Sequence, residues 1–211
     1  MSSGRDEGAR SGSKIVVIGT SAGGLRALEK ILGALPATYT LPIVVVQHRS
    51  KESDAFADVM SHMISLPVHE AEDKEPIRAP GVYLAPPDYH LMLEPERLAL
   101  STEETVNFSR PSIDVMFESA ADAYGSGVVA VLLTGANSDG TRGLARIRSA
   151  GGYAIVQDPK TAESPEMPAA AIKEGVVDKV VALDDISKEL VRIAPARARR
   201  SRREDSTKGT V

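Results

Sequence analysis

The chain has 211 residues, which is enough for one α/β domain with a sizeable core. Its formal net charge of −4 gives no indication of nucleic-acid binding, and its lack of cysteine excludes disulfide bonds, thiolate metal sites and a cysteine nucleophile. Residues 1–13 are polar and lack the apolar core of a signal peptide, and no apolar run approaches the ~20 residues that span a bilayer. We therefore expect a cytoplasmic protein without a membrane span.

The first predicted unit is a strand, a tight turn and a helix. Residues 15–18 form an unbroken apolar run, which is typical of a strand buried on both faces. Apolar residues then recur at helical spacing from Leu25 to Leu35. Between them, residues 19–23 match G-x-S-x-G, a turn that lifts the Ser21 hydroxyl above the sheet edge. The new helix points free backbone N–H groups at the same turn, so both a nucleophilic serine and a bound phosphate fit it.

The rest of the chain alternates between strand and helix patterns. Further strands are predicted at 41–48, 128–133, 153–157 and 179–183. Helices are predicted at 55–63, 113–124, 141–150 and 184–193, and a short one after a loop over 158–168. Ser53 and Ser112 are the predicted N-caps of the first two. Between residues 66 and 101, short strand-like pieces predict a β-rich excursion, either an insertion or an edge region of the same domain, and Pro95–Glu96 predicts a hairpin turn. This order predicts a doubly wound α/β fold: a mostly parallel sheet with helices on both faces and a small β-hairpin excursion.

The two ends of the chain differ from the middle in composition. We expect a disordered N-terminus over residues 1–13, one domain over residues 14–194, and a disordered tail over residues 195–211 that is rich in arginine and poor in apolar residues. For the tail we favour solvation over contact with nucleic acid or an anionic membrane.

Three reactive side chains follow predicted strands. Ser21 follows the first strand, His48 the second, and Asp139 the strand over 128–133. Active residues of α/β sheets gather in such loops, so the sequence offers a nucleophile, a base and an acid that orients the base. Backbone N–H groups of Ala22, Gly23 and Gly24, or of Gly135 and Ala136, can supply an oxyanion hole.

The chain order serine, histidine, aspartate differs from that of the α/β-hydrolases, so G-x-S-x-G does not by itself imply their fold. No group of histidine, aspartate and glutamate has metal-ligand spacing, and no cofactor is expected. Plainer interpretations remain for each residue. Ser21 can be a small residue in a tight turn, His48 a strand-end histidine bonded to backbone, and Asp139 an N-cap of the helix that follows it. For His90 we favour a structural role over a place in the site cleft. For Arg110 we favour a solvated loop over contact with an acidic substrate helix.

Six ordered blocks resemble a known family, the catalytic domain of the CheB chemotaxis protein-glutamate methylesterases. The blocks are Ile18–Gly24, Val45–His48, Ala85–His90, Arg110–Phe117, Leu132–Gly140 and Glu166–Ile172. The resemblance spans roughly Ile15 to Leu190 and is far more specific than one G-x-S-x-G match. It implies a doubly wound α/β domain in which Ser21 is the nucleophile, His48 the base and Asp139 its orienting acid.

The resemblance also implies a reaction and a substrate. The reaction is hydrolysis of γ-glutamyl methyl esters on chemoreceptor helices, or on another methylated signalling protein, with release of methanol; some relatives also deamidate receptor glutamines. With only residues 1–13 before the first strand, we expect a stand-alone catalytic domain without the receiver domain that usually precedes it. Such a domain is constitutive or is controlled by a separate regulatory partner.

Three local departures from the chemotaxis pattern bear on the substrate. Ala22 stands where chemotaxis enzymes often have threonine, Arg49 and Ser50 follow His48 in place of Met-Pro, and the aspartate loop reads Ala-Asn-Ser-Asp. The changes at Ala22 and Arg49 leave open a catalytically silent binding module of a signalling complex. A second alternative is a nucleotide-binding α/β protein that uses residues 19–24 for phosphate.

Overall fold

The computed structural model describes residues 14–49 and 56–195. Its strands are β1 (Ile15–Thr20), β2 (Ile43–Gln47), β3 (Val68–Glu70), β4 (Val82–Leu84), β5 (His90–Glu94), β6 (Arg97–Ser101), β7 (Val128–Leu132), β8 (Tyr153–Gln157) and β9 (Lys179–Val181). Its α-helices are α1 (Gly24–Gly33), α2 (Phe56–Met63), α3 (Ile113–Tyr124), α4 (Thr141–Ser149), α5 (Glu166–Lys173) and α6 (Leu183–Ile193). The predictions for residues 1–13, for Ser53 as a cap and for the arginine-rich tail fall outside the described residues, apart from Pro195.

Seven strands form one parallel sheet in the order β3-β4-β2-β1-β7-β8-β9. Every residue of β1 and β7 is buried, because helices cover both faces of the sheet centre. Successive strand residues point to opposite faces. Val16 and Ile18 therefore pack in one core with α1, α2 and α6, whereas Ile15 and Val17 pack in the other with α3, α4 and α5. This arrangement confirms the predicted doubly wound α/β fold.

The region predicted as a β-rich excursion divides into two parts. β3 and β4 join the main sheet as its edge, parallel to β2, which agrees with the edge alternative. Only β5 and β6 form the antiparallel hairpin, with Pro95 and Glu96 in the turn between the paired residues Glu94 and Arg97. Three buried leucines of the hairpin pack into the same core as α3: Leu91, Leu93 and Leu98. The start of α5 also differs from the prediction: the helix begins at Glu166 and not after Pro168.

The strand order places three loops together. The chain leaves β1 toward β2 on one side of the sheet, then returns to place β7 on the other side of β1. In open α/β sheets ligands bind outside the carboxyl ends of the strands at such a reversal. The loops after β1, β2 and β7 share this edge. Among the helices of the described residues, none is long and apolar enough to cross a membrane.

Candidate active site

The three predicted site residues lie at the carboxyl edge of neighbouring strands. Ser21 directly follows β1 and its N–H donates to the Thr134 carbonyl at 2.9 Å, just beyond β7. His48 directly follows β2, and its N–H donates to the Thr20 carbonyl at 3.0 Å. Asp139 lies at the end of the loop after β7. Parallel pairing of β1 with both neighbours therefore brings these side chains to one place, although the sequence separates Ser21 from Asp139 widely.

The side chains of these residues are hydrogen-bonded in series. Nδ1 of His48 lies 3.2 Å from Oγ of Ser21, and Nε2 of His48 lies 2.9 Å from Oδ2 of Asp139. An ionised carboxylate only accepts hydrogen bonds. Nε2 therefore carries the ring proton and donates a hydrogen bond to Asp139. Nδ1 is then left with a lone pair that can accept the Ser21 hydroxyl proton. In the serine protease triad the two ring nitrogens have the opposite assignment, with Nε2 on the serine.

The carboxylate of Asp139 is completely buried and saturated with donors. Besides His48, the donors are the N–H groups of Ile113 (2.7 Å), Asp114 (3.0 Å) and Gly140 (3.0 Å), the Ser112 hydroxyl (3.0 Å) and the Asn107 amide (3.3 Å). Burial acts to raise the pKa of Asp139, but hydrogen bonds from His48, Ile113 and Asp114 outweigh it and hold the pKa below its ordinary value. Asp139 is therefore an anion at neutral pH.

The capping interpretation of Asp139 needs a correction. The N-cap of the following helix α4 is Gly140, in the left-handed conformation, and not Asp139. The Asp139 carboxylate instead accepts the first N–H groups of α3, whose own N-cap is Ser112 as predicted. The free N–H groups and the dipole at the start of a helix stabilise an anion there. Asp139 thus caps a helix that lies far from it in sequence and bonds His48 at the same time.

His90 has the structural place that the sequence analysis expected. It is almost fully buried, its Nδ1 accepts the Ser112 N–H at 3.2 Å, and its Nε2 donates to the Glu104 carbonyl at 3.0 Å. It fixes Ser112, which in turn bonds Asp139. The solvated loop expected for Arg110 is wrong, because its guanidinium bonds Asp88 and the carbonyls of Thr102 and Glu103.

Three residues to which the sequence analysis gave no role in holding the Ser21 turn do so; only Gly135 among them was named there, as an oxyanion-hole candidate. Gln47 Nε2 donates to the carbonyls of Ser21 (2.8 Å) and His48 (2.9 Å), so it ties the two loops together. Thr134 Oγ1 donates to the Ala22 carbonyl at 2.8 Å. Gly135 passes so close to Ser21 that a Cβ there would lie 2.9 Å from the Ser21 Cβ. Their sequence signal is that they lie in two of the blocks that resemble the family, Val45–His48 and Leu132–Gly140.

The backbone N–H groups proposed for an oxyanion hole divide into two sets. The Gly24 N–H donates to the Ser21 carbonyl and the Gly135 N–H donates to the Ser164 carbonyl, both at 2.9 Å. Neither N–H is free for a substrate, so Gly24 and Gly135 are withdrawn as candidates. Within residues 14–49 and 56–195, the N–H groups of Ala22, Gly23 and Ala136 donate to no protein acceptor. Gly23 has φ of 78°, a left-handed conformation that suits glycine.

Ser21 and His48 open onto a cavity of about 380 Å³ that the start of α1 and Glu163 also line. A larger cavity of about 590 Å³ lies beside it, and the two share Gly23, Arg26 and Glu163. Across the described part of the chain, no three histidine, aspartate or glutamate side chains gather into a metal site.

Arg49 explains one departure from the chemotaxis pattern. Its guanidinium forms an ion pair with Glu70, donates to the Ala85 carbonyl at 3.1 Å and lies 4.9 Å from the centre of the Phe56 ring. The side chain is nearly buried, so it ties the residue directly after His48 to the β3–β4 edge of the sheet. It leaves the Ser21–His48–Asp139 geometry intact.

A parallel α/β sheet with serine, histidine and aspartate bonded in series at its carboxyl edge has the arrangement of a serine hydrolase. Comparison with known proteins narrows this class. The family model for CheB methylesterase matches residues 16–190. The crystal structure of the Thermotoga maritima CheB methylesterase catalytic domain superposes with a TM-score of 0.83 at 37% identity, covering 86% of this chain and 99% of that one. The chain belongs to the CheB methylesterase family.

Curated relatives carry matching names. A Leptospira interrogans protein, provisionally named a protein-glutamate methylesterase/protein-glutamine glutaminase, is 46% identical over 180 residues, which cover 84% of this chain and 93% of the relative. The Trichodesmium erythraeum protein-glutamate methylesterase/protein-glutamine glutaminase is 36% identical over 184 residues, 85% of this chain but 52% of the relative. The chain therefore spans nearly all of one relative and about half of the other. These names support the esterase interpretation over the binding module and the nucleotide-binding protein.

Proposed function

We propose that the protein is a serine esterase that hydrolyses glutamate γ-methyl esters on a methylated signalling protein and releases methanol. Cytoplasmic helices of chemoreceptors are the first candidate substrate, and a cytoplasmic location follows from that choice. One observation carries the proposal: Nδ1 of His48 lies 3.2 Å from Oγ of Ser21 while Nε2 is bonded to a buried aspartate. Family membership and the names of the relatives support the same reaction.

In the proposed mechanism Ser21 Oγ attacks the γ-carbonyl carbon of the ester. His48 Nδ1 takes the hydroxyl proton as the new bond forms, and Asp139 stabilises the imidazolium through Nε2. The tetrahedral intermediate carries its negative charge on the former carbonyl oxygen. N–H groups of Ala22, Gly23 and Ala136 are the proposed donors to that oxygen.

The intermediate then collapses and the methoxy group leaves. His48 returns its proton to this group, so methanol departs and a glutamyl ester of Ser21 remains. Water attacks this ester with His48 again as the base, and the products are free Ser21 and the glutamate side chain. The same steps on a glutamine side chain release ammonia, so deamidation is part of the proposal.

The proposal is tested by methanol release from a methylated chemoreceptor cytoplasmic fragment. The native protein is expected to release methanol, whereas Ser21→Ala and His48→Ala are expected to lose the activity, because each removes one partner of the 3.2 Å contact. Ser149→Ala is the matched control, since the Ser149 hydroxyl is exposed and donates to the Arg146 carbonyl of its own helix. Its activity should equal that of the native protein.

A fluorophosphonate probe gives an independent readout, because it labels only an activated serine. Labelling should depend on Ser21 and His48 and not on Ser149. Methanol release that persists in Ser21→Ala would refute the mechanism. No release together with no labelling would favour the catalytically silent binding module.

A further inference from the structure

A tight turn next to the proposed triad holds a strained aromatic residue. Val106 and Ser109 exchange two backbone hydrogen bonds, of 3.1 Å and 2.9 Å, so the turn has only two central residues. These are Asn107 and Phe108, with φ of 50° and 61°. Asparagine tolerates this left-handed region, but a bulky aromatic residue there is a true outlier. Such strain persists only where surrounding contacts impose it, and it concentrates at functional sites.

The two central residues face opposite ways. The Asn107 amide donates to Oδ1 of Asp139 at 3.3 Å and to Oδ2 of Asp114 at 3.0 Å, so it bridges the two buried carboxyls. The Phe108 side chain is fully exposed, with 102% relative accessibility, and the fold gains no burial from its ring. The turn therefore holds an aromatic ring in solvent one residue away from a contact with the proposed triad.

Contacts behind the turn fix its position. Arg110 donates to Asp88 at 2.7 Å and to the carbonyls of Thr102 and Glu103, both at 2.9 Å. The loop that contains Asp88 exposes a second aromatic residue, Tyr89, at 41%. Exposed aromatic residues on a rigid support are the usual anchors of protein interfaces, because their burial on binding costs little conformational entropy.

We infer that Phe108 is a docking residue for the methylated protein substrate and inserts into the apolar surface of the helix that carries the ester. The inference rests on the proposed function and names the substrate surface that the same site takes. Asn107 links the docking turn to Asp139, so a helix seated on Phe108 is placed at a fixed distance from the triad. A small ester carries no helix, so we expect its hydrolysis to be independent of Phe108.

The test compares two substrates in the Phe108→Ala variant. One is a methylated chemoreceptor cytoplasmic fragment, assayed by methanol release, and the other is p-nitrophenyl acetate. The ratio of kcat/KM for the fragment over that for the small ester should fall about tenfold, through KM, which is typical of losing an interface anchor. Val191→Ala is the control, because Val191 is an exposed apolar residue (46%) on α6. An unchanged ratio in Phe108→Ala would overturn the inference.

A binding measurement separates this inference from the proposed function. In a Ser21→Ala background, fluorescence anisotropy should show the labelled fragment binding about tenfold more weakly when Phe108→Ala is added. Binding that depends on Phe108 without methanol release from the native protein would refute the esterase and keep the docking residue. Methanol release by the native protein, with binding that is independent of Phe108, would keep the esterase and refute the docking residue. No binding of the fragment by Ser21→Ala, with or without Phe108→Ala, would also overturn the docking inference.

Discussion

Replacing Asp139 by asparagine gives the sharpest test of the site, because the change keeps the size of the side chain and removes one acceptor oxygen. Oδ1 accepts from Ser112, Asp114, Gly140 and Asn107, whereas Oδ2 accepts from Ile113 and His48. The new amide keeps more hydrogen bonds if its oxygen replaces Oδ1. Its NH₂ group then faces His48 Nε2 and the Ile113 N–H.

Two effects of different size follow from this orientation. His48 Nε2 must become an acceptor, so the ring proton moves to Nδ1, which then faces Ser21 and can no longer take its proton. In the serine protease triad the same substitution costs about 10⁴-fold in kcat through the wrong tautomer, and we expect a loss of that order. The Ile113 N–H also loses its acceptor, and a buried unpaired N–H costs about 1–3 kcal/mol in the free energy of unfolding.

Both effects are measurable on one protein sample. Hydrolysis of p-nitrophenyl acetate gives the rate, and urea unfolding followed by circular dichroism gives the stability. Asp184→Asn is a suitable control, because Asp184 is an exposed carboxylate in the first turn of α6. A variant at Asp139 that keeps its rate within about tenfold would refute the tautomer argument. An unchanged free energy of unfolding would refute the capping of α3.

Three further outcomes are expected. Gly135→Ala should lower kcat in the ester assay about 10²-fold, because its Cβ would lie 2.9 Å from the Ser21 Cβ and 2.6 Å from Met167 Cε. Gly33→Ala is the control: its Cβ would lie 3.4 Å from the Met63 carbonyl, and kcat should be unchanged. Phe108→Gly should raise the free energy of unfolding by about 0.5–1 kcal/mol, since relief of about 1–2 kcal/mol of left-handed strain exceeds the entropy cost of glycine, and a lower value in urea would contradict the strain. Hydrogen bonds lower the pKa of Asp139 in the folded protein. The stability that ionised Asp139 gives the fold is therefore complete above the unfolded pKa of about 3.9 and is lost as the pH falls through the folded pKa. Urea unfolding from pH 6 to pH 2 should show this loss in the native protein and a smaller loss in Asp139→Asn.

The fold and the proximity of the three site residues were within reach of the sequence. Apolar runs alternating with helical patterns imply a parallel sheet, and a parallel sheet places the residues after neighbouring strands at one edge. Ser21, His48 and Asp139 each directly follow or closely follow such runs. For β3 and β4 the sequence left the choice between an insertion and a sheet edge open, because a strand of three residues carries no periodicity that separates the two.

The contacts around Asp139 show where sequence reasoning ended. A carboxylate just before a glycine and a helix looks like the cap of that helix, and nothing local indicates that it caps α3 instead. That pairing depends on where α3 begins over the sheet, which only the assembled fold decides. The choice between Nδ1 and Nε2 of His48 likewise depends on side-chain rotation and not on the order of residues along the chain.

The double use of Asp139 has a consequence for how the site responds to change. The negative charge is stabilised by the first N–H groups of α3, so the helix supplies part of what a neighbouring cation would otherwise provide. The orientation of His48 therefore depends on the position of the α3 N-terminus, which His90 fixes through the Ser112 N–H. Substitutions in the β5–β6 hairpin that shift His90 should therefore change the distance between Ser21 and His48, although they contact neither residue. The segment from Glu104 to Ser112 thus connects the exposed Phe108 ring, the cap of α3 and the proposed catalytic aspartate within one short stretch of chain.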